Sequence, residues 1–429
     1  MAIERRTPSR GPRSRVDAML PASFAHHPTY NRPTMAAQPD HILIDARLAA
    51  YRPAGIAAHV ALLLDGLAEL APPEAITVLL HRRARFGAGW KSPFAQAEPQ
   101  ATAARTSFPV QTVWTPPHHR LEGRSLPLEL WPLGAADLLH SPDVVVPAGW
   151  RGAAVATVHD VAFLRRPELL APDSLRYYRR VHASVRRAQR VIAVSDYTRS
   201  ELLALTDVAA DKVVVVPNAV HPRFFAAGDA ADDAAILARY GLAGPYILFV
   251  STIEPRKNIA VLLRAYQQLA GAGTTAQLVL VGADGWHSQP VYDEVVALGL
   301  AERARFLGFV PDEDLAALYR RAGVLAHPAL DEGFGLTPLE AMAAGLPVIV
   351  SDAGSLPEVV GEAGLQVPPL DAAAWAAALT AVLDDPGLAG RLATAGWARA
   401  AEYSPRRMAA ATLDVYRAAW ARHRGEERR

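Results

Sequence analysis

The sequence predicts an α/β protein made of two doubly wound parallel-sheet domains facing each other across a central cleft. Three observations carry this. A chain of 429 residues exceeds what one hydrophobic core usually serves, so two cores are expected. Short apolar runs that end in polar residues alternate with helical stretches in two successive series, as strands buried on both faces of a parallel sheet do. Residues 331–352, DEGFGLTPLEAMAAGLPVIVSD, place a glycine-rich turn and a helix start between two glutamates. Such a loop follows the carboxyl end of a strand, where open sheets bind ligands.

Residues 1–40 read as a disordered basic extension. Arg5, Arg6, Arg10, Arg13, Arg15 and Arg32 lie among prolines and serines with little to bury, and Met35 is an alternative start. A nucleic-acid arm or a targeting peptide is the competing reading. The first domain is expected over 41–225: strand HILIDARL, a helix through His59–Leu70, then strands AITVLLH, ADLLHSP, AAVATVHD and RVIAVSD. A basic amphipathic helix over about 173–190 precedes the last of these. KVVVVPNAV and the Asp-rich stretch 226–235 read as the connection between domains. The second domain, 226–403, supplies PYILFVST, QLVLVGADG, RARFLGFV, GVLAHP and LPVIVSD. Ser404-Pro405 opens an amphipathic helix to about His423 within the last segment, 404–429.

Bulk composition excludes several classes. Hydrophobic residues at 51% and charged residues at 20% are ordinary for a globular protein. Lys+Arg 44 against Asp+Glu 43 gives +1, so no global field recruits nucleic acid. Cysteine is absent, which removes disulfides, thiolate metal sites and cysteine nucleophiles. No apolar run is long enough to span a bilayer, and no secretory pattern opens the chain. The expectation is a cytoplasmic protein, soluble or peripheral to the inner membrane face.

The chemistry concentrates in the 331–352 segment. Thr337, Pro338 and Glu340 fit the N-cap, first and third positions of a capping box. Gly333 and Gly335 admit a ligand close to the backbone, and bare amides at a helix head attract phosphate. Carboxylates on either side accept hydroxyl hydrogen bonds, and phosphate plus polyol points to a sugar nucleotide. Glu340 also fits a purely structural cap; Glu332, in the loop after the apolar stretch Val324–Ala326, has no such role.

Further groups end other strands. Arg256 and Lys257 follow the first strand of the second series, where Lys257 offers a point charge and Arg256 a bidentate fork for a diphosphate; an ordinary charged surface loop is the alternative. His159-Asp160 suggests acid–base chemistry or a capped strand end. Gly282-Ala283-Asp284-Gly285-Trp286 fits a nucleotide contact or a tight turn equally. Asp312-Glu313-Asp314 matches a D-x-D metal triplet, but after Pro311 it reads better as an acidic helix start. The 173–190 helix, with Arg176, Arg179, Arg180, Arg186, Arg187 and Arg190, fits anionic membrane contact or, preferably, a solvated basic face.

The stretch E-G-F-G-L-T-P-L-E-A-M-A-A-G-L-P-V-I resembles the E-x7-E motif of the retaining glycosyltransferases of family 4, which have the GT-B fold of two Rossmann-like domains. The resemblance covers nearly everything from 41 to 423. It implies that Glu332 contacts donor-sugar hydroxyls and Glu340 the ribose, with Gly333, Phe334, Gly335 and Leu336 lining the donor site. F-V-S-T-I-E-P-R-K-N-I resembles the donor-phosphate loop, which assigns Lys257 and Arg256 to the diphosphate; Ser251 stands where many members have arginine or glycine. T-V-H-D resembles the motif whose histidine, here His159, lies near the anomeric carbon, with Asp160 contacting the acceptor or shaping the loop. Gly55-Ile56 resembles the glycine-rich loop after the first strand, although Ala57-Ala58-His59 replaces the usual Gly-Arg-Tyr. Phe309-Val310 sits where members bind the base through main-chain atoms, so Val310 joins the donor set.

The family implies transfer of a hexose, mannose or glucose first, from a GDP- or UDP-linked donor to a glycan or lipid-linked acceptor in cell-surface polysaccharide synthesis. It implies front-face departure and attack without a metal or other cofactor, and a last helix that crosses back onto the first domain. The rivals are a silent sugar-nucleotide-binding subunit, a GT-B epimerase, and a phosphorylase, for which no pyridoxal-lysine motif is present. Nucleotide release from a panel of donors separates them.

Overall fold

The computed structural model describes residues 38–48, 55–82, 106–115, 126, 128–130, 136–165, 175 and 178–427. Most of the 1–40 extension therefore lies outside the described residues, as does part of the 173–190 segment.

Among the described residues thirteen strands fall into two sheets, and every pairing between them is parallel. The first holds β1 (His41–Asp45), β2 (Ala75–His81), β3 (Val110–Val113), β4 (Leu138–Ser141), β5 (Ala153–Val158), β6 (Arg190–Ala193) and β7 (Val213–Val215). Its spatial order is β3-β2-β1-β4-β5-β6-β7. The second holds β8 (Tyr246–Val250), β9 (Gln277–Val281), β10 (Ala304–Gly308), β11 (Val324–His327), β12 (Val348–Ser351) and β13 (Leu365–Val367), in the order β10-β9-β8-β11-β12-β13. In each sheet the order reverses between the first strand and a later one, β1 beside β4 and β8 beside β11. Such a reversal opens a crevice at the carboxyl ends of those two strands.

Strands β4, β5, β8, β11 and β12, all inside the sheets, are buried at every residue. Separate apolar clusters line the two faces of each sheet, so helices cover both. The helix Gly55–Leu70 crosses one face of the first sheet with Val60, Leu63, Leu64 and Leu67 inward. The helix Pro405–Glu427, last in the chain, lies against it and contributes Met408, Leu413 and Tyr416 to the same core. Tyr416 also anchors it by a 2.7 Å hydrogen bond to His140 Nδ1 at the end of β4.

Three local expectations are corrected. The Asp-rich 226–235 stretch, read only as part of the connection between domains, carries regular structure: Asp229 caps a helix, Ala230–Arg239, by accepting from Ala231 N and Asp232 N. Asp233 on that helix is buried and takes both Arg320 Nε, at 3.1 Å, and Nη2, at 2.5 Å. A paired carboxylate is what lets an acidic stretch pack. The described part of the basic segment is helical over Val181–Arg187 and turns to extended backbone at Ala188, because β6 begins at Arg190. Arg186 and Arg187 there are exposed, as on a solvated basic face, and Arg187 also donates to Val146 O. The third correction is the capping box. The helix Leu336–Ala343 is entered through Gly335, whose φ of +103° only glycine adopts at ease, and no side chain caps it. Thr337 and Pro338 are its second and third residues; the proline costs nothing there because first-turn amides have no partner within the helix.

Asp312, Glu313 and Asp314 form the first turn of the helix Asp312–Arg321. Asp312 pairs with Arg223, and Asp314 accepts from Arg239 and Tyr240. Among the described residues no helix is long and apolar enough to cross a membrane.

Candidate active site

The two loops at the switch point of the second sheet meet each other. After β8 the chain makes a short turn, Pro255–Lys257, ending at Asn258 in the left-handed region with φ of 55°. Asn258 Nδ2 donates to the carbonyls of Pro328 and Pro369, which pins this loop to the one after β11. The result is that Lys257, 7% exposed, is hydrogen-bonded to Glu332 Oε1. His327 Nε2, at the end of β11, donates to the same oxygen at 2.9 Å. Arg256 Nη1 stands 3.5 Å from Glu332 Oε2.

The electrostatics follow from this packing. Burial alone would push the Glu332 carboxyl up, but Lys257 and then Arg256 hold it well below the usual carboxylate range, so Glu332 is ionised. Burial works against the Arg256 charge too, and Glu332, Asp160, Glu254 and Asp331 outweigh it, raising its pKa. Arg256 donates to Glu254 through Nε and Nη2 and to Asp331 O through Nη1. Lys257 has three N–H groups and one contact to Glu332, so donors remain for an anion.

The first sheet closes over this cluster. A Cβ built on Gly333 would lie 1.8 Å from His159 O, so the two backbones touch there. Ser195 Oγ and Thr198 Oγ1 both donate to Gly333 O, at 2.6 and 3.0 Å. Tyr197 OH donates to Asp331 Oδ1 at 3.1 Å. Glu358 accepts from Asp196 N and Tyr197 N, placing a carboxylate at the head of the helix Asp196–Leu205. His159 donates through Nε2 to Pro142 O, which leaves Nδ1 as the acceptor; burial pulls its pKa down. His59 lies edge-on to it, ring centroids 4.8 Å apart, with Nδ1 on Asn218 Oδ1. Asp160 accepts from Ala162 N, shaping its loop, and its other oxygen is 4.0 Å from Arg256 Nη1.

The remaining expected residues spread around this centre. Gly55 opens its helix near Leu336, whose Cδ1 lies 3.7 Å from a Cβ built on the glycine. Ser251 is tied to β9 through its own amide, and Gly282 packs on its carbonyl. The turn after β9 joins the same loop, with Asp284 bridged to Ile253 and Gly285 N bonded to Ile253 O. Val310 is buried in the second-sheet core, while its neighbour Phe309 is 54% exposed. Phe334 is buried against Tyr403. Glu340 stands apart from the cluster, accepting from Tyr319 OH at 3.0 Å. Sequence reasoning missed His327, Asp331, Ser195, Tyr197, Thr198 and Glu358. The available signals were a lone histidine closing an apolar strand and a Ser-x-x-Thr start on the helix after β6. Among the described residues no group of three or more His, Cys, Asp or Glu side chains is arranged to hold a metal ion.

Burial pushes the Glu340 carboxyl from 4.5 up to about 8; the Tyr319 bond opposes this and Asp312 adds to it. The raised folded value means stability fully present below the unfolded pKa and lost as pH rises through the folded one. The ligand-free protein is therefore expected to lose melting temperature between about pH 4.5 and pH 8 relative to Glu340→Gln, which stays neutral. Parallel melting curves over that range giving a constant difference would contradict a raised Glu340.

Two doubly wound parallel sheets whose switch-point loops meet across a cleft define the GT-B class of glycosyltransferases. Residues 53–224 match the family described as Glycosyltransferase Family 4, and residues 241–399 match Glycosyl transferases group 1. O-antigen chain mannosyltransferase B of Escherichia coli is 36% identical over 284 residues, 65% of this chain and 74% of that protein. A D-inositol 3-phosphate glycosyltransferase of Nocardia farcinica is 31% identical over 359 residues, 76% of this chain and 79% of that one. The crystal structure of Anabaena Alr3699/HepE in complex with UDP and glucose resembles it with a TM-score of 0.68 at 21% identity, over 87% of this chain and 98% of that one. At that identity the likeness is one of fold. The chain belongs to the family 4 glycosyltransferases, and it is a sugar transferase.

Proposed function

We propose that the chain moves a hexose, mannose or glucose, from a GDP- or UDP-linked donor to a glycan or lipid-linked acceptor, with retention of configuration and without a metal. The observation that carries this reading is the Lys257–Glu332–Arg256 cluster, set at the head of the helix Leu336–Ala343 and closed by Gly333 against His159. Lys257, Arg256 and the amides around Gly333–Leu336 stabilise the departing diphosphate, a fixed electrostatic field in place of a metal. Glu332 receives donor-sugar hydroxyls, Glu340 the ribose, and Val310 offers main-chain contacts to the base. His159 holds the sugar from the first sheet near the anomeric carbon, and Asp160 shapes the acceptor side. Among the described residues no carboxylate is placed as an evident nucleophile, which supports leaving and attack on one face. The mannosyltransferase name of the Escherichia coli relative supports a mannose donor as the first trial and cell-surface polysaccharide as the setting.

Transfer from an α-linked donor is expected to continue in EDTA and to give an α-linked product by proton NMR. A β-linked product would refute retention. Strict dependence on added Mg2+ or Mn2+ would refute the metal-free departure.

A further inference from the structure

His327 is the residue of the cluster whose presence is hardest to explain by packing. It closes β11, whose four residues are all buried, and it is 1% exposed. Its ring stacks on Phe249 of β8, centroids 6.2 Å apart and planes 13° from parallel. An apolar side chain would fill that place at lower cost. Burial holds the imidazole below its ordinary pKa, so it is neutral and carries a single N–H. The bond to the Glu332 carboxylate places that hydrogen on Nε2. Nδ1 is then a buried lone pair with no partner among the described residues. An unmet buried polar atom is destabilising, so the Nε2–H bond is the feature the site retains at the expense of stability.

That bond decides which way Glu332 faces. A carboxylate oxygen takes about two hydrogen bonds. Lys257 and His327 together fill Oε1, while among the described residues Oε2 has only Arg256, at 3.5 Å. The main chain of Glu332 is fixed as well, its carbonyl accepting from Ser355 N and Ser355 Oγ. With the backbone and one oxygen held, the second oxygen is left to receive hydroxyls. We infer that His327 is a positioning residue for the donor sugar, holding Oε1 of Glu332 so that Oε2 meets the sugar hydroxyls. This rests on the donor-sugar role proposed above for Glu332.

The test compares His327→Leu, which keeps the volume without the N–H, with His327→Gln, whose amide reaches the same oxygen. Turnover of the full donor, affinity for the nucleoside diphosphate alone and melting temperature are read for each. His327→Leu is expected to lower kcat on the order of 10²-fold, the cost of a misplaced reacting group. Its nucleoside diphosphate affinity and melting temperature should hold, because the sugar contact is lost and the orphaned Nδ1 is removed. His327→Gln should recover most of the turnover. Unimpaired turnover in His327→Leu, equal loss in both variants, or a fall in nucleoside diphosphate affinity matching that in turnover would overturn the assignment alone. A wild-type protein that turns over no donor in the panel would overturn the proposed function, and this assignment with it.

Discussion

Lys257→Ala is expected to lower donor turnover by about 10²–10³-fold, the usual loss when one fixed donor to a developing anion is removed. The ammonium is buried and bonded to Glu332, in the loop that leads into the helix Leu336–Ala343. In a site shielded from water its field acts with little screening. Removing it takes away the compact positive charge nearest Glu332, and Arg256, with three of its five N–H groups already given to Glu254 and Asp331 O, makes good only part of the loss. Single-turnover measurements on wild type and variant, each with and without EDTA, check this. A variant that keeps its turnover, or a larger loss from EDTA than from the substitution, would refute it.

Gly333→Ala is expected to be almost as damaging for a different reason. The added Cβ meets His159 O at 1.8 Å and His159 C at 2.9 Å, and backbone cannot swing aside as a long side chain does. The loop 331–333 must withdraw, which breaks the bonds of Ser195 and Thr198 to Gly333 O and carries Glu332 away from its place. A displacement of about 1 Å at a reacting centre costs on the order of 10²-fold in rate. Nucleoside diphosphate affinity should fall less than turnover, since Glu340 lies further along the helix. Isothermal titration with the nucleoside diphosphate, set beside kcat for the donor, gives the comparison. Undiminished turnover would mean that the two sheets do not need this contact.

The fold was legible wherever a strand is buried on both faces. HILID, AAVATV and YILFV leave no other reading once helical stretches separate them. Two of the edge strands were not: β3 and β13 span Val110–Val113 and Leu365–Val367, too short and too mixed in polarity to stand out. As candidates, His159, Asp160, Arg256, Lys257 and Glu332 were legible because each follows a strand end. Their pairing was not, because Lys257 and Glu332 are 75 positions apart and only the β8–β11 adjacency brings them together. The capping box was misread for a local reason. Thr337 and Glu340 have the right spacing, but Gly335 turns the chain one step earlier than a threonine cap would.

The helix Pro405–Glu427 has a consequence for how the molecule is made. It supplies Met408, Leu413 and Tyr416 to a core whose earliest members, from Ile42 to Leu67, leave the ribosome long before it does. At ordinary elongation rates the apolar side of the helix Gly55–Leu70 waits on the order of tens of seconds for its cover. Throughout that interval the uncovered stripe is an exposed apolar patch, open to association with other apolar surfaces.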